Sequence, residues 1–298
     1  MNEAHAIHRF TRILLAVDSS EHSMATVDPV VALAAATAAE VQVLHVWNRE
    51  LHSVRGHWDV ETLAEAGTLV NDIAARISAH GVSTTTRLDS ADRDQIPAVI
   101  VAAATELGAD LIAVGSRGIN DFSALLFGSV SERVLHESDC PVLLVRAGNA
   151  DQVRHDVKRL LVAVAGPDDA GPATAAALAV AESTGAEVMV VHVPYFTAAE
   201  GVAWIEPGIE ASRTVDDVVS RLREAGVNAE SKVTAPSPGA AAEITALARS
   251  WDADLIVMGS RRPSRLGALL AVSVNHQVIQ ASDRPVLVAE RAAVGKQK

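Results

Sequence analysis

Residues 109–118 read Ala-Asp-Leu-Ile-Ala-Val-Gly-Ser-Arg-Gly, and residues 253–260 read Ala-Asp-Leu-Ile-Val-Met-Gly-Ser. Each is a short aliphatic run closed by Gly-Ser, the pattern of a strand buried on both faces that stops at a tight turn. The pair is part of a longer repeat. Residues 12–17 (RILLAV) return as 159–164 (RLLVAV), 43–46 (VLHV) as 190–193 (VVHV), and 138–145 (SDCPVLLV) as 282–289 (SDRPVLVA). The two earlier pairs are offset by 147 positions and the two later ones by 144, so the second copy carries a three-residue deletion between them. A repeat of this period in a chain of 298 residues predicts two domains in tandem, 1–147 and 157–292. The polar stretch 147–156 (AGNADQVRHD) reads as the linker between them.

Within each copy, Val/Ile/Leu runs alternate with segments of helical period, the signature of βαβ units. In the first copy the pattern predicts strands near 12–17, 41–46, 82–88, 110–114 and 141–146, and helices near 21–38, 59–80, 94–107 and 129–137. The second copy follows the same order. The expected fold is α/β: two tandem open five-stranded parallel sheets, Rossmann-like, with ligands bound beyond the carboxyl ends of the strands where the strand order switches. A composition of 49% hydrophobic but only 3% aromatic residues suits helices packed on such sheets.

The fourth strand leads into Gly115-Ser116-Arg117-Gly118, and nine residues later comes Gly128-Ser129-Val130. Glycines serve where backbone must approach a ligand or take positive φ. Ser129 opens a predicted helix, whose free N–H groups and dipole favour an anion, so the segment reads as a phosphate cradle. A plainer reading makes Gly118 and Gly128 turn glycines and Ser129, with Glu132, a capping box; for Ser129 the two readings are compatible.

The spacing G-x2-G-x9-G-S after a strand resembles the ATP-binding signature of the universal stress protein family, and the resemblance covers nearly the whole chain. It implies two adenine nucleotide α-hydrolase-like domains related by a pseudo-two-fold, with their fifth strands at the contact. It also implies an adenosine lying across the ends of strands one, two and four. Residues 16–20 (Ala16-Val17-Asp18-Ser19-Ser20) are similar to the family's V-D-x-S start, which makes Asp18 an acceptor for the adenine edge or ribose; alone, Asp18 reads first as a helix N-terminal residue, and the glycine loop tips it to the ligand reading. By the same resemblance Val46 borders the adenine and Val114 supplies an apolar wall. Arg117 reads either as a phosphate ligand or as a solvated surface arginine. The implied site is therefore Ala16, Asp18, Val46, Val114, Gly115, Arg117, Gly118, Gly128, Ser129 and Val130, with ATP as ligand and Mg2+ accompanying the phosphates.

In the second copy Ala165 stands where Asp18 should, Arg262 for Gly118 and Val272 for Gly128, while Gly259, Ser260, Arg261, Ser273 and Val274 persist. One nucleotide per chain, in the first domain, is the expectation. His45 and its repeat His192 read as satisfied core histidines, and Cys140 before Pro141 as packing or turn chemistry.

Other classes find less support. The net charge of -12 and pI near 5.3 have the wrong sign for a protein that neutralises nucleic-acid phosphates. A single cysteine excludes an intrachain disulfide. The sequence shows neither a signal peptide nor an apolar run long enough to cross a bilayer, so a cytoplasmic protein is expected. There is no G-x4-G-K-S/T and no G-x-G-x-x-G after a strand; Gly166 and Gly171, beside Pro167 and Pro172, read as turns. The S-G-G-x-D-S of the related ATP pyrophosphatases is absent after strand one. The leading function is a nucleotide-dependent stress-response regulator, a homodimer acting on an unidentified protein partner. Its alternatives are a slow ATP hydrolase, a cyclic AMP or AMP module, and a ligand-free dimerisation module.

Overall fold

The computed structural model describes residues 9–48, 61–116, 129–146, 156–194, 196–199, 202–205, 208–260 and 274–289. The chain divides into two compact units, one of Phe10–His155 and one built on Asp156–Lys298.

In the first unit β1 (Arg12–Val17), α1 (Glu21–Thr37), β2 (Glu40–Asn48), α2 (Leu63–Ser78), β3 (Thr84–Ala91), α3 (Ile96–Leu107), β4 (Leu111–Ser116), α4 (Ser129–Glu137) and β5 (Val142–Arg146) follow one another. The strands form a parallel sheet in the order β5-β4-β1-β2-β3. The chain winds outward from β1 to β3, then crosses back to β4, so the switch in strand order lies between β1 and β4. The central strands are buried on both faces: Ile13, Leu14, Leu15, Leu111, Ile112, Leu143 and Leu144 carry almost no exposed surface. β3, at an edge, carries the polar run Thr84-Thr85-Thr86-Arg87, which blunts an open strand edge.

The second unit repeats the plan with β6 (Arg159–Ala163), α5 (Pro167–Thr184), β7 (Glu187–His192), α6 (Gly208–Glu224), β10 (Ala229–Val233), α7 (Ala240–Ser250), β11 (Leu255–Gly259), α8 (Val274–Ala281) and β12 (Val286–Ala289). Its parallel order is β10-β7-β6-β11-β12. Between β7 and α6 it adds an antiparallel pair that the repeat does not foretell, β8 (Phe196–Ala199) and β9 (Val202–Ile205), with Phe196 opposite Ile205. The two β-prone runs are separated in sequence by Glu200-Gly201, a hairpin-length spacing with a glycine. The turn reading of residues 166–172 is corrected. Gly166 is the N-cap of α5, Pro167 its first residue, and Gly171 and Pro172 lie within it. Proline is tolerated at the first position because its missing N–H is unpaired there in any helix. Among the described residues no helix is long and apolar enough to cross a membrane.

The polar residues that recur in both copies hold strand ends. Asp110 accepts from Thr11 N at 2.7 Å and Arg12 N at 3.1 Å, and Asp254 does the same for Lys158 N and Arg159 N at 2.8 and 2.9 Å. Each carboxylate closes the otherwise unpaired start of its unit's central strand. Ser138 Oγ accepts from Cys140 N and donates to Cys140 O; Ser282 makes the same two bonds with Arg284. Cys140 thus sits in turn chemistry, and burial pushes its thiol pKa up.

Gly115 and Gly259 recur for a steric reason. A Cβ on Gly115 would lie 2.7 Å from the carbonyl carbon and oxygen of His22, and one on Gly259 would lie 2.1 Å from Asp169 O. The first turn of the first helix in each unit therefore rests directly on the end of the fourth strand. Because that contact is backbone, no rotamer relieves it. Gly259→Ala is expected to cost on the order of 3 kcal/mol, the upper range for overpacking. Gly67→Ala, within α2 where an added Cβ meets nothing within 4 Å, should stabilise by about 0.5–1 kcal/mol. Urea unfolding of both variants checks the opposite signs.

Candidate functional site

At the end of β1 the chain makes a closed set of short-range bonds. Asp18 N donates to Ser23 Oγ at 2.8 Å, and Asp18 Oδ1 accepts from Ser20 N at 3.0 Å and from Ser20 Oγ. Ser20, extended at φ -78 and ψ 153, is the N-cap of α1 and accepts from Ser23 N. Asp18 braces the helix start through Oδ1, and its Oδ2 takes no hydrogen bond from the described residues. It remains exposed at the strand end.

β2 is fastened beside it. His45 is 5% exposed, and its Nδ1 donates to Val17 O at 2.7 Å; His192 Nδ1 donates to Val164 O at 2.8 Å in the second unit. Both histidines are satisfied within the core. His45 has a second partner, Glu61 Oε2, 2.8 Å from Nε2, while Trp47 Nε1 donates to Glu61 O at 2.9 Å. Glu61 directly precedes the Thr62 cap of α2, where Thr62 Oγ1 accepts from Glu65 N and Glu65 Oε2 accepts from Thr62 N at 2.7 Å.

These elements enclose a cavity of about 400 Å³ at the switch point, within the range of small-molecule sites. Six of the ten residues expected at the site line it: Ala16, Asp18, Val46, Val114, Gly115 and Val130. Ser129 begins α4, so the amino end of that helix opens at the cavity through Val130 and Ser131. Arg117, Gly118 and Gly128 lie outside the described residues. The structure adds lining residues that sequence reading missed: Ser20, His22 and Ser23 of α1, Glu61, and Arg93, Ile96 and Ile100 around the start of α3. Those of α1 were within reach, since they flank Asp18 in sequence. Glu61 and Arg93 come from distant segments and carry no spacing signal. Val46, Ile96, Ile100 and Val114 give the cavity apolar lining, and Asp18, Ser20, Ser23, Glu61 and Arg93 give it polar lining. Such a cleft can hold a flat apolar ring system with a polar, anionic extension.

The second unit lacks the carboxylate. Ala165 stands at the strand end, its N–H donating to Asp169 Oδ2 at 2.8 Å, and Gly166 caps α5 without a side-chain bond. Asn275 Nδ2 donates back to Gly259 O at 2.9 Å, drawing α8 onto the end of β11. Arg262 and Val272 lie outside the described residues.

The model of the universal stress protein family matches residues 9–146 and again 156–290. The universal stress protein YxiE of Bacillus subtilis is 30% identical over 149 residues, covering 46% of this chain and 99% of that protein. The universal stress protein Rv2623 of Mycobacterium tuberculosis is 27% identical over 204 residues, 66% of this chain and 67% of its own. Among solved structures, a universal stress protein from Archaeoglobus fulgidus superposes with a TM-score of 0.73 at 27% identity, covering 94% of this chain and 98% of that one.

Glu61 stands next to the cap of α2. Bonds from Thr62 hold the Glu65 carboxyl below its usual pKa. A lowered carboxyl stabilises the fold above its unfolded pKa and loses that contribution as the pH falls through the folded value. Thr62→Ala should therefore lower the urea midpoint at pH 7. Its difference from the parent should narrow below about pH 4, the ordinary glutamate range. A difference independent of pH would show that the bond from Thr62 Oγ1 to the Glu65 carboxylate contributes nothing.

Proposed function

The chain belongs to the universal stress protein family, and from that premise we propose that its first unit is a receptor for an adenine nucleotide, ATP foremost. The observation that carries this reading is the union of Asp18 with apolar lining residues and the first turn of α4 in one cavity at the strand-order switch. Val46, Val114, Ile96 and Ile100 accept the flat base, and Asp18 Oδ2 takes a hydrogen bond from the ribose or the base edge. The phosphates then extend toward the α4 amino end and the glycine segment of Arg117, Gly118 and Gly128. Among the described residues no group of three His, Cys, Asp or Glu side chains comes together as a metal cage, so Mg2+ would enter with the phosphates as its ligands.

The activity proposed is binding that reports nucleotide level to a protein partner, with the second unit serving as a structural or regulatory companion. Asp18 is already engaged with the α1 cap, so occupancy acts on the same bonds that order the start of that helix. This gives a ligand differential contact with the fold, the requirement for any population shift.

Asp18→Ala and Gly118→Ala are each expected to weaken ATP binding. Loss of a charged hydrogen-bond partner costs about 1.5–3 kcal/mol, tenfold or more in affinity. Calorimetric titration with ATP, AMP and cyclic AMP, on variants whose circular dichroism matches the parent, measures this. Unchanged affinity in both variants would refute the site.

A further inference from the structure

Among the described residues that line the cavity, one side chain outside the family signature brings a positive charge that a phosphorylated ligand could meet. Among the described residues Asp18 Oδ2 takes no hydrogen bond, while Glu61 is engaged by His45. Among the described lining residues Arg93 is the one arginine or lysine. It is exposed, and among the described residues it has no hydrogen bond or ion pair. Other arginines of this unit are committed: Arg76 to Asp28, Arg87 to Asp89 and Glu106, and Arg133 to Glu137.

The segment that carries Arg93 is held in place. Gln95 N donates to Asp92 O at 2.9 Å, closing a turn at the start of α3, and Arg133 Nη1 donates to the carbonyl of Asp94. Arg133 belongs to the helix that Ser129 opens, so the turn bearing Arg93 is tied to the element whose first turn lines the cavity through Val130 and Ser131. The neighbouring Ile96 and Ile100 face the same space.

We propose that Arg93 is the residue that selects phosphorylated ligands over the bare nucleoside, its guanidinium pairing with the phosphate chain of a bound nucleotide. The inference rests on the nucleotide reading of this cavity and deepens it. A planar guanidinium matches phosphate oxygens in a two-pronged geometry that lysine cannot reproduce, and in a site flanked by carboxylate it offsets the repulsion a polyphosphate would meet. Its effect therefore scales with ligand charge.

The test titrates the full-length chain and its Arg93→Ala and Arg93→Lys variants with adenosine, AMP, ATP and inorganic tripolyphosphate at low and moderate salt. Arg93→Ala should weaken ATP about tenfold or more, as expected for a lost charge-assisted pair, and leave adenosine unchanged. AMP should lie between them. Arg93→Lys should recover part of the ATP affinity, and the salt dependence of ATP binding should flatten in Arg93→Ala. ATP affinity unchanged in Arg93→Ala overturns the assignment while leaving the nucleotide site standing. Equal losses for adenosine and ATP also overturn it, because they would make Arg93 a base or packing contact. A parent protein that binds none of the nucleotides overturns the nucleotide reading, and the assignment with it.

Discussion

The first turn of α1 lies on the end of β4 so closely that only glycine fits, and the rest of the first unit's cavity is arranged around that contact. With Gly115 against the backbone of His22 and Ser23, the N-cap bonds of Ser20 and the carboxylate of Asp18 are brought beside the end of β4. The opposite wall follows from topology: the crossover from β3 back to β4 delivers the start of α3, and the helix after β4 delivers its amino end. A Cβ at that one position would lift α1 from the strand and open the site.

The same contact explains why the repeat decayed unevenly. Gly259 persists in the second unit because Asp169 O leaves no room for a side chain there. Asp254, Ser282 and His192 persist because each holds a strand end or turn in the second sheet as Asp110, Ser138 and His45 do in the first. None of these duties requires a ligand. The strand-end carboxylate of Asp18, by contrast, is not kept: Ala165 stands in its place, its N–H held by Asp169 as that of Asp18 is held by Ser23. The first glycine of the family's signature is thus a packing requirement, and its survival says nothing about nucleotide. Phosphate binding has to be judged from the other positions.

The fold was legible because its signals are local. Aliphatic runs marked the strands to within a few residues, and the repeat offset marked the two units. β2 runs on to Asn48, past the expected end at 46, since β3 pairs with it through Ala91. The added hairpin was missed because the first copy offers no counterpart to compare. Within the site, residues attached to strand ends were legible, as topology alone carries them to the switch point. Glu61 and Arg93 were not, because what brings them there is a buried histidine 16 residues away in one case and an arginine bond from α4 in the other. Gly115 was found in the right place for an incomplete reason: the cradle reading missed the helix beneath it.

The central claim is asymmetry: two copies of one fold, of which the first alone keeps the polar anchor of a nucleotide site. Binding stoichiometry tests it most directly, by native mass spectrometry of the full-length chain across an ATP titration, with mass per chain as the readout. One nucleotide per chain, lost when Asp18 is replaced by alanine, is the predicted result. Two equivalent nucleotides per chain, or one that survives loss of Asp18 undiminished, would contradict the account.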